Sequence, residues 1–208
     1  MASTVALDPR GERLVLADLV PVPRGTGLPG SRLRSAALVL GGAGLTGLAA
    51  QISIPVHGSP VPVTGQTFGV LLVGVALGAR RGAASMALYL MAGFLGVPWF
   101  AGGSAGSIHL ATLGYLVGFI LAGALVGRMA ERGADRSPWR TALTMVAGNL
   151  VIYACGVPYL ALSAHLSASA ALHYGLTVFL LGDALKILLA AGLLPATWKL
   201  VGRRVVGD

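Results

Sequence analysis

Leu116-Val117-Gly118-Phe119-Ile120-Leu121-Ala122-Gly123-Ala124-Leu125-Val126-Gly127 carries no charged side chain and stops against Arg128. It closes an apolar run over 108–127, and about 20 apolar residues is the length that crosses the hydrocarbon of a bilayer. Five more such runs accompany it, at 35–54, 61–79, 82–101, 141–162 and 172–201. The chain of 208 residues is 55% hydrophobic and only 11% charged, whereas a soluble domain has about 25% charged residues. That is too little polar surface to clothe a water-facing globule. A membrane barrel would alternate polar and apolar residues in stretches of roughly ten, and no such alternation occurs. The 31 glycines and 11 prolines suit helices packed in lipid. The expected fold is an all-α integral membrane protein of six transmembrane helices, with an arm at 1–34, a membrane domain at 35–201 and a tail at 202–208.

The basic residues divide cleanly. Arg10, Arg13, Arg24, Arg32 and Arg34 precede the first run, Arg80 and Arg81 follow the second, Arg128, Arg132, Arg136 and Arg140 follow the fourth, and Lys199, Arg203 and Arg204 close the chain. Fourteen of the 15 Lys and Arg therefore fall on one side of a six-span topology, which the positive-inside rule makes cytoplasmic together with both termini. The opposite loops hold His57, His109, His165 and His173. A net charge of +8 arranged this way answers to the lipid bilayer, not to nucleic acid. No cleavable signal is expected, because Asp8, Glu12 and Asp18 lie in the arm and the first run exceeds a signal-peptide core. The arm is read as a cytoplasmic extension. Its apolar piece at 14–20 suits either a surface-lying or a disordered segment, ended by Pro21 and Pro23. No internal repeat of the kind found in many secondary transporters is present.

One acid and one base lie inside an apolar run: Asp183 and Lys186, three apart and so on one helix face. A charge within the bilayer costs upward of roughly 3 kcal/mol, so it persists where it faces the bundle and has a partner. The pair is either a self-neutralising structural ion pair or part of a polar ligand site, and apolar packing could replace a purely structural pair without loss of stability. Thr64, Gln66, Tyr89, Trp99, Tyr115 and Asn149 are the further candidates for ligand binding, with Thr67, Thr112 and Tyr153 at similar depth. Thr64 would equally serve as a helix cap, Asn149 as interhelical glue, and Trp99 and Tyr115 as an aromatic belt. Together they describe a pocket with neutral hydrogen-bonding groups, an aromatic wall, one cation and one anion.

Enzymatic readings lack their parts. No histidine lies within the body of a run to serve a serine nucleophile, and a single buried aspartate forms no aspartic dyad. The loop histidines lack metal-ligand spacing, no phosphate-cradling Gly-x-x-x-x-Gly-Lys-Ser/Thr segment exists, and Cys155 has no partner cysteine. No cofactor, no metal and no intrinsic ATPase are expected.

The stretches Gln51-Ile52-Ser53-Ile54-Pro55, Ser59-Pro60-Val61-Pro62-Val63-Thr64-Gly65-Gln66-Thr67, Leu77-Gly78-Ala79-Arg80-Arg81-Gly82, Tyr89-Leu90-Met91-Ala92-Gly93 and Gly96-Val97-Pro98-Trp99-Phe100-Ala101-Gly102-Gly103 resemble the BioY family. Gly114-Tyr115-Leu116-Val117-Gly118-Phe119 and Gly182-Asp183-Ala184-Leu185-Lys186 continue the likeness in order, over about 46–192. The family usually has Gly-Pro-Thr-Gly-Gly-Tyr where this chain has Leu110-Ala111-Thr112-Leu113-Gly114-Tyr115. The resemblance implies a six-helix S-component bundle in a prokaryotic cytoplasmic membrane. It also implies biotin capture from outside and partnership with a T component and two ABC ATPase subunits of an energy-coupling factor (ECF) transporter. In that setting Asp183 accepts from the ureido N–H groups of biotin, while Lys186 serves the ureido carbonyl or the carboxylate. Small residues four apart on the first helix, Ala37 with Gly41 and Ala43 with Gly47, would face the T component, the alternative being packing within the bundle. Rival readings are a solitary facilitator for biotin or another vitamin, and a membrane enzyme or scaffold in which Asp183 and Lys186 are structural.

Overall fold

A computed structural model describes residues 14–19, 28–106 and 111–206, side chains at 28–30 and 202–206 excepted. The sequence readings on Arg10, Arg13, Arg24 and His109, and on the side chains of Arg203 and Arg204, lie outside the described residues. Helix α1 (Leu28–Ala50) leads through a two-stranded antiparallel ribbon, β1 (Ser53–Ile54) and β2 (Val63–Thr64), into α2 (Gln66–Leu77) and α3 (Ala79–Phe94). Then come α4 (Leu113–Glu131), α5 (Pro138–Ser163), a short α6 (Ala168–Gly175) and α7 (Leu180–Val206). α1 thus begins ahead of the first apolar run, and α7 continues beyond 201 into the stretch read as a tail.

Among the described residues, six principal helices occupy the six apolar runs, and four segments are long and apolar enough to cross a membrane: Ser31–Ala50, Leu113–Glu131, Pro138–Ser163 and Ala168–Val201. The other two are shorter than expected. α2 has 12 residues and α3 has 16, about 18 and 24 Å at 1.5 Å per residue, against a hydrocarbon core of about 30 Å. The cause is local. Pro55, Pro60 and Pro62 cannot continue a helix, so residues 61–64 turn into β2, and Gly96 with Pro98 ends α3. The 172–201 run is likewise broken at Leu176 (φ −137°) and the 3-10 turn Thr177–Phe179. Irregular backbone at membrane depth is tolerated where protein or a cavity surrounds it, and this is where the cavity described below lies.

The core runs through Val70, Val75, Met86, Tyr89, Val126, Met145, Ile152 and Leu160, all 1% exposed or less. Helices α2 and α3 fold back on one another at Gly78, whose φ of 84° no ordinary side chain favours. Beside that turn the backbones nearly touch: a Cβ on Gly82 would sit 2.9 Å from the Gly74 Cα, and one on Gly74 2.8 Å from the Gly123 carbonyl. Buried threonine hydroxyls bond their own helix, Thr46 to the Gly42 carbonyl (3.0 Å) and Thr144 to that of Arg140 (2.8 Å), and so need no water. Outward, Leu40, Leu45, Leu48, Leu121, Leu150, Leu181, Leu188 and Leu193 are exposed, a belt that only lipid makes acceptable.

The two ends of the bundle differ. At one, the Ser59 hydroxyl donates to the Tyr174 carbonyl (3.2 Å) and the Gln51 amide to that of Trp99 (3.2 Å). At the other lie Arg81, Arg128 and Arg136, with Glu131 accepting from the Ala79 N–H at 2.9 Å. There Asp135, fully buried in the turn Ala134–Arg136, accepts from the Trp198 indole N–H of α7, and Arg136 stacks 4.2 Å over that ring. Burial holds the Asp135 carboxyl above the usual carboxylate range, partly offset by Trp198 and Arg136. A carboxyl raised in the folded state costs stability as pH climbs from its unfolded toward its folded value, and the indole N–H reduces that cost. Trp198→Phe is therefore expected to destabilise by about 1.5–3 kcal/mol at pH 7 and by less toward pH 4, as Asp135 takes up its proton. Thermal unfolding at both pH values checks this; equal losses would show that the contact does not depend on the charge.

Candidate ligand site

The short helix α2 leaves a cavity of about 470 Å³, open mouth included, between the β-ribbon, α2, α4, α5 and α7. Val61, Pro62, Ala101, Tyr115, Leu116, Phe119 and Phe179 make its apolar and aromatic wall, and Thr64, Gln66, Thr67, Thr112, Tyr153 and Lys186 supply polar atoms. A smaller space of about 170 Å³ adjoins it at Thr67 and Lys186, lined also by Phe68, Leu71, Met145, Asn149 and Ile187.

Each polar group is aimed by a neighbour. Lys186 Nζ donates to Asp183 Oδ1 at 3.1 Å and to Thr67 Oγ1 at 2.8 Å. An ammonium has three protons, so one remains for the cavity. Asp183, 4% exposed, also accepts from the Tyr153 hydroxyl. Having given its proton to Asp183, Tyr153 Oη offers the cavity lone pairs; having accepted from Lys186, Thr67 offers a hydroxyl proton. Asp183 is not in the cavity wall. It sits behind it, fixing the acceptor Tyr153 and the donor Lys186 at once and neutralising the lysine.

The remaining sequence candidates fall at different depths. Thr64 and Gln66 line the cavity, the Gln66 backbone N–H donating to Thr64 Oγ1 at 3.2 Å in a tight turn, so Thr64 also braces the start of α2. Tyr89 is 1% exposed and not in the wall. It takes the Gln66 amide proton at 2.6 Å and donates to the Trp99 carbonyl at 3.0 Å, while the Trp99 indole N–H returns to the Tyr89 carbonyl at 3.0 Å. Tyr89 and Trp99 thus hold Gln66 and the loop after α3. Tyr115 lines the cavity and anchors α6 through the Gly175 carbonyl at 2.8 Å. Asn149 lines only the smaller space. Phe119 and Phe179 are aromatic wall residues not singled out from the sequence, while Thr67 and Tyr153, read there as polar groups at similar depth, bond Lys186 and Asp183 respectively.

The two pairs of small residues on α1 part company. Ala37 and Gly41 are exposed, and a Cβ on Gly41 would meet nothing within 4 Å. Ala43 and Gly47 correct the expectation of a partner-facing surface: both are buried, and a Cβ on Gly47 would meet Trp99 at 3.1 Å. Six residues further along a helix at 100° each is a turn of about 240°, so the second pair points inward.

A sequence model of the BioY family matches residues 23–203. The chain is 37% identical over 141 residues to the biotin transporter BioY of Rhizobium etli, covering 64% of this chain and 75% of that protein. It is 38% identical over 144 residues to the biotin transporter BioY of Thermotoga maritima, covering 68% and 82%. Among solved structures, the S-component for biotin from an ECF-type ABC transporter superposes with a TM-score of 0.70 at 19% identity, over 88% of this chain and 96% of that one. The chain belongs to the BioY family, and its fold is that of an S component.

Proposed function

We propose that this BioY-family membrane protein captures biotin outside the cell and delivers it inward as the substrate-binding subunit of an ECF transporter. A T component and two ATPase subunits supply the energy. Family membership, the biotin transport named for its relatives and the S-component fold support the reading, and one observation in the site carries it. At one corner the cavity offers two donors, Lys186 Nζ and Thr67 Oγ1, beside one acceptor, Tyr153 Oη, between aromatic walls. A cyclic urea needs that set: its carbonyl takes two hydrogen bonds and its N–H groups seek an acceptor. Among the described residues of the wall Lys186 is the one cation, and Asp183 already neutralises it. We therefore place the ureido ring at Lys186 and Thr67, with the carboxylate tail toward Thr64 and Gln66. The arginine-bearing end faces the cytoplasm by the positive-inside rule, and the outward pair Ala37 and Gly41 lies on a face of α1 free to meet a T component.

Isothermal titration of the purified protein with biotin is expected to show saturable one-to-one binding and a raised melting temperature. No heat together with no thermal shift would overturn the reading.

A further inference from the structure

Residues 14–19 precede the stretch that defines the family match, 23–203, yet they pack as core. Val15 and Ala17 are 3% and 5% exposed and join the main hydrophobic cluster, with the 3-10 turn Leu16–Leu19 against α2. Arginines from three separate elements hold the segment. Arg34 of α1 donates to the Ala17 carbonyl, Arg81 of α3 pairs with the Asp18 carboxylate at 2.9 Å, and Arg136 between α4 and α5 donates to the Leu14 carbonyl at 3.0 Å. Two small apolar side chains on a hydrophobic floor, with one carboxylate and two carbonyls on three arginines, are contacts that another short segment bearing a carboxylate could make in its place. The ion pair is the weakest part of that hold. The Asp18–Arg81 pair is 27% and 28% exposed, where ion pairs contribute little, and residues 20–27 tether the segment to α1, so rebinding is intramolecular.

We propose that Leu14–Leu19 is a strap that keeps the groove it occupies shut, and that it leaves when the membrane partner inserts an acidic segment of its own. The proposal rests on the reading that the chain works with a T component. The groove and the outward face of α1 are continuous, since Ala37 lies one turn beyond Arg34 on the same helix. A partner lying along Ala37 and Gly41 therefore reaches the arginine that the strap engages, and cannot use it while Ala17 does.

Asp18→Arg, in the full chain, removes the acceptor of the Val15 N–H, sets like charges against Arg81 and frees the strap; adding Arg81→Asp restores the ion pair alone, with the signs exchanged. Hydrogen exchange of nanodisc-embedded protein is expected to speed up by about tenfold or more at residues 15–19 in Asp18→Arg, leave the amides of α4 and α5 unchanged, and return toward wild type in the double variant. Co-expressed with a T component and its two ATPases, Asp18→Arg is expected to yield about threefold more complex than wild type, and the double variant, with the strap held and one groove arginine gone, no more than wild type. Unchanged exchange at 15–19 would overturn the strap, and unchanged or reduced complex would overturn its role in docking. Biotin titration of the same samples keeps the questions apart: affinity in Asp18→Arg should equal that of wild type, and a wild-type chain that binds no biotin sinks the transport reading while the exchange result still judges the strap.

Discussion

Asp183→Asn is expected to weaken biotin binding by about 2 kcal/mol or more, roughly 30-fold, without touching the ligand. The carboxylate is buried and holds two groups, the Tyr153 hydroxyl and the Lys186 ammonium. Its amide replacement carries no charge and one acceptor oxygen where the carboxylate has two, so with that oxygen on Lys186 the ammonium is still a poorly compensated cation in a low-dielectric site. Tyr153 in turn loses the acceptor that fixes its proton and hence its lone pairs. Both faces presented to a urea degrade together. Removing one partner of a buried pair also costs about 3–5 kcal/mol of stability, so melting temperature should fall alongside affinity. The mechanism makes a sharper demand on Tyr153→Phe, which deletes the acceptor directly. Because Asp183 acts partly through Tyr153, the double variant should lose less than the sum of the two single losses. Full additivity would mean that Asp183 works through Lys186 alone, and unchanged affinity in a folded Asp183→Asn protein would return the pair to a structural role.

The long helices were legible because lipid leaves a coarse signature, an uninterrupted run of apolar residues, and α4 and α5 lie close to where their runs place them. α2 was not, since Val61 and Val63 are as apolar in a strand as in a helix. What diverts them is the neighbouring prolines and the pairing of Ile54 with Val63. The break at Leu176 had still less signal. It is held by contacts distant in sequence, among them the Tyr115 hydroxyl on the Gly175 carbonyl. In the site, Asp183 and Lys186 announced themselves as charges in an apolar helix, where transfer costs make an idle charge rare. Tyr153 was legible as a polar group at similar depth, but its task was not, since nothing in the sequence puts its hydroxyl on a carboxylate 30 positions away. Ala43 and Gly47 show the converse limit, for four-residue spacing reveals a close-packing stripe but not which neighbour it packs against.

Lys186→Met is expected to cost about 2–5 kcal/mol of affinity, and the comparison of biotin with its methyl ester decides what the ammonium does. In the structure Lys186 Nζ is already charge-matched by Asp183 at 3.1 Å and spends a second proton on Thr67 at 2.8 Å. A lysine so placed presents one proton and little net charge, which suits a neutral carbonyl better than a carboxylate. If that proton goes to the ureido carbonyl, the ester group sits far from it: wild type should bind the ester nearly as well as biotin, and Lys186→Met should lose similar free energy with both ligands. If instead the tail carboxylate meets Lys186, esterification alone should cost about 2 kcal/mol in wild type and almost nothing in Lys186→Met, because the lost partner is the same in both cases. The coupling energy of this cycle therefore separates the two orientations of biotin without requiring either variant to be fully inactive. A value near zero places the ureido ring at the Lys186–Thr67 corner, and a large one turns the ligand end for end.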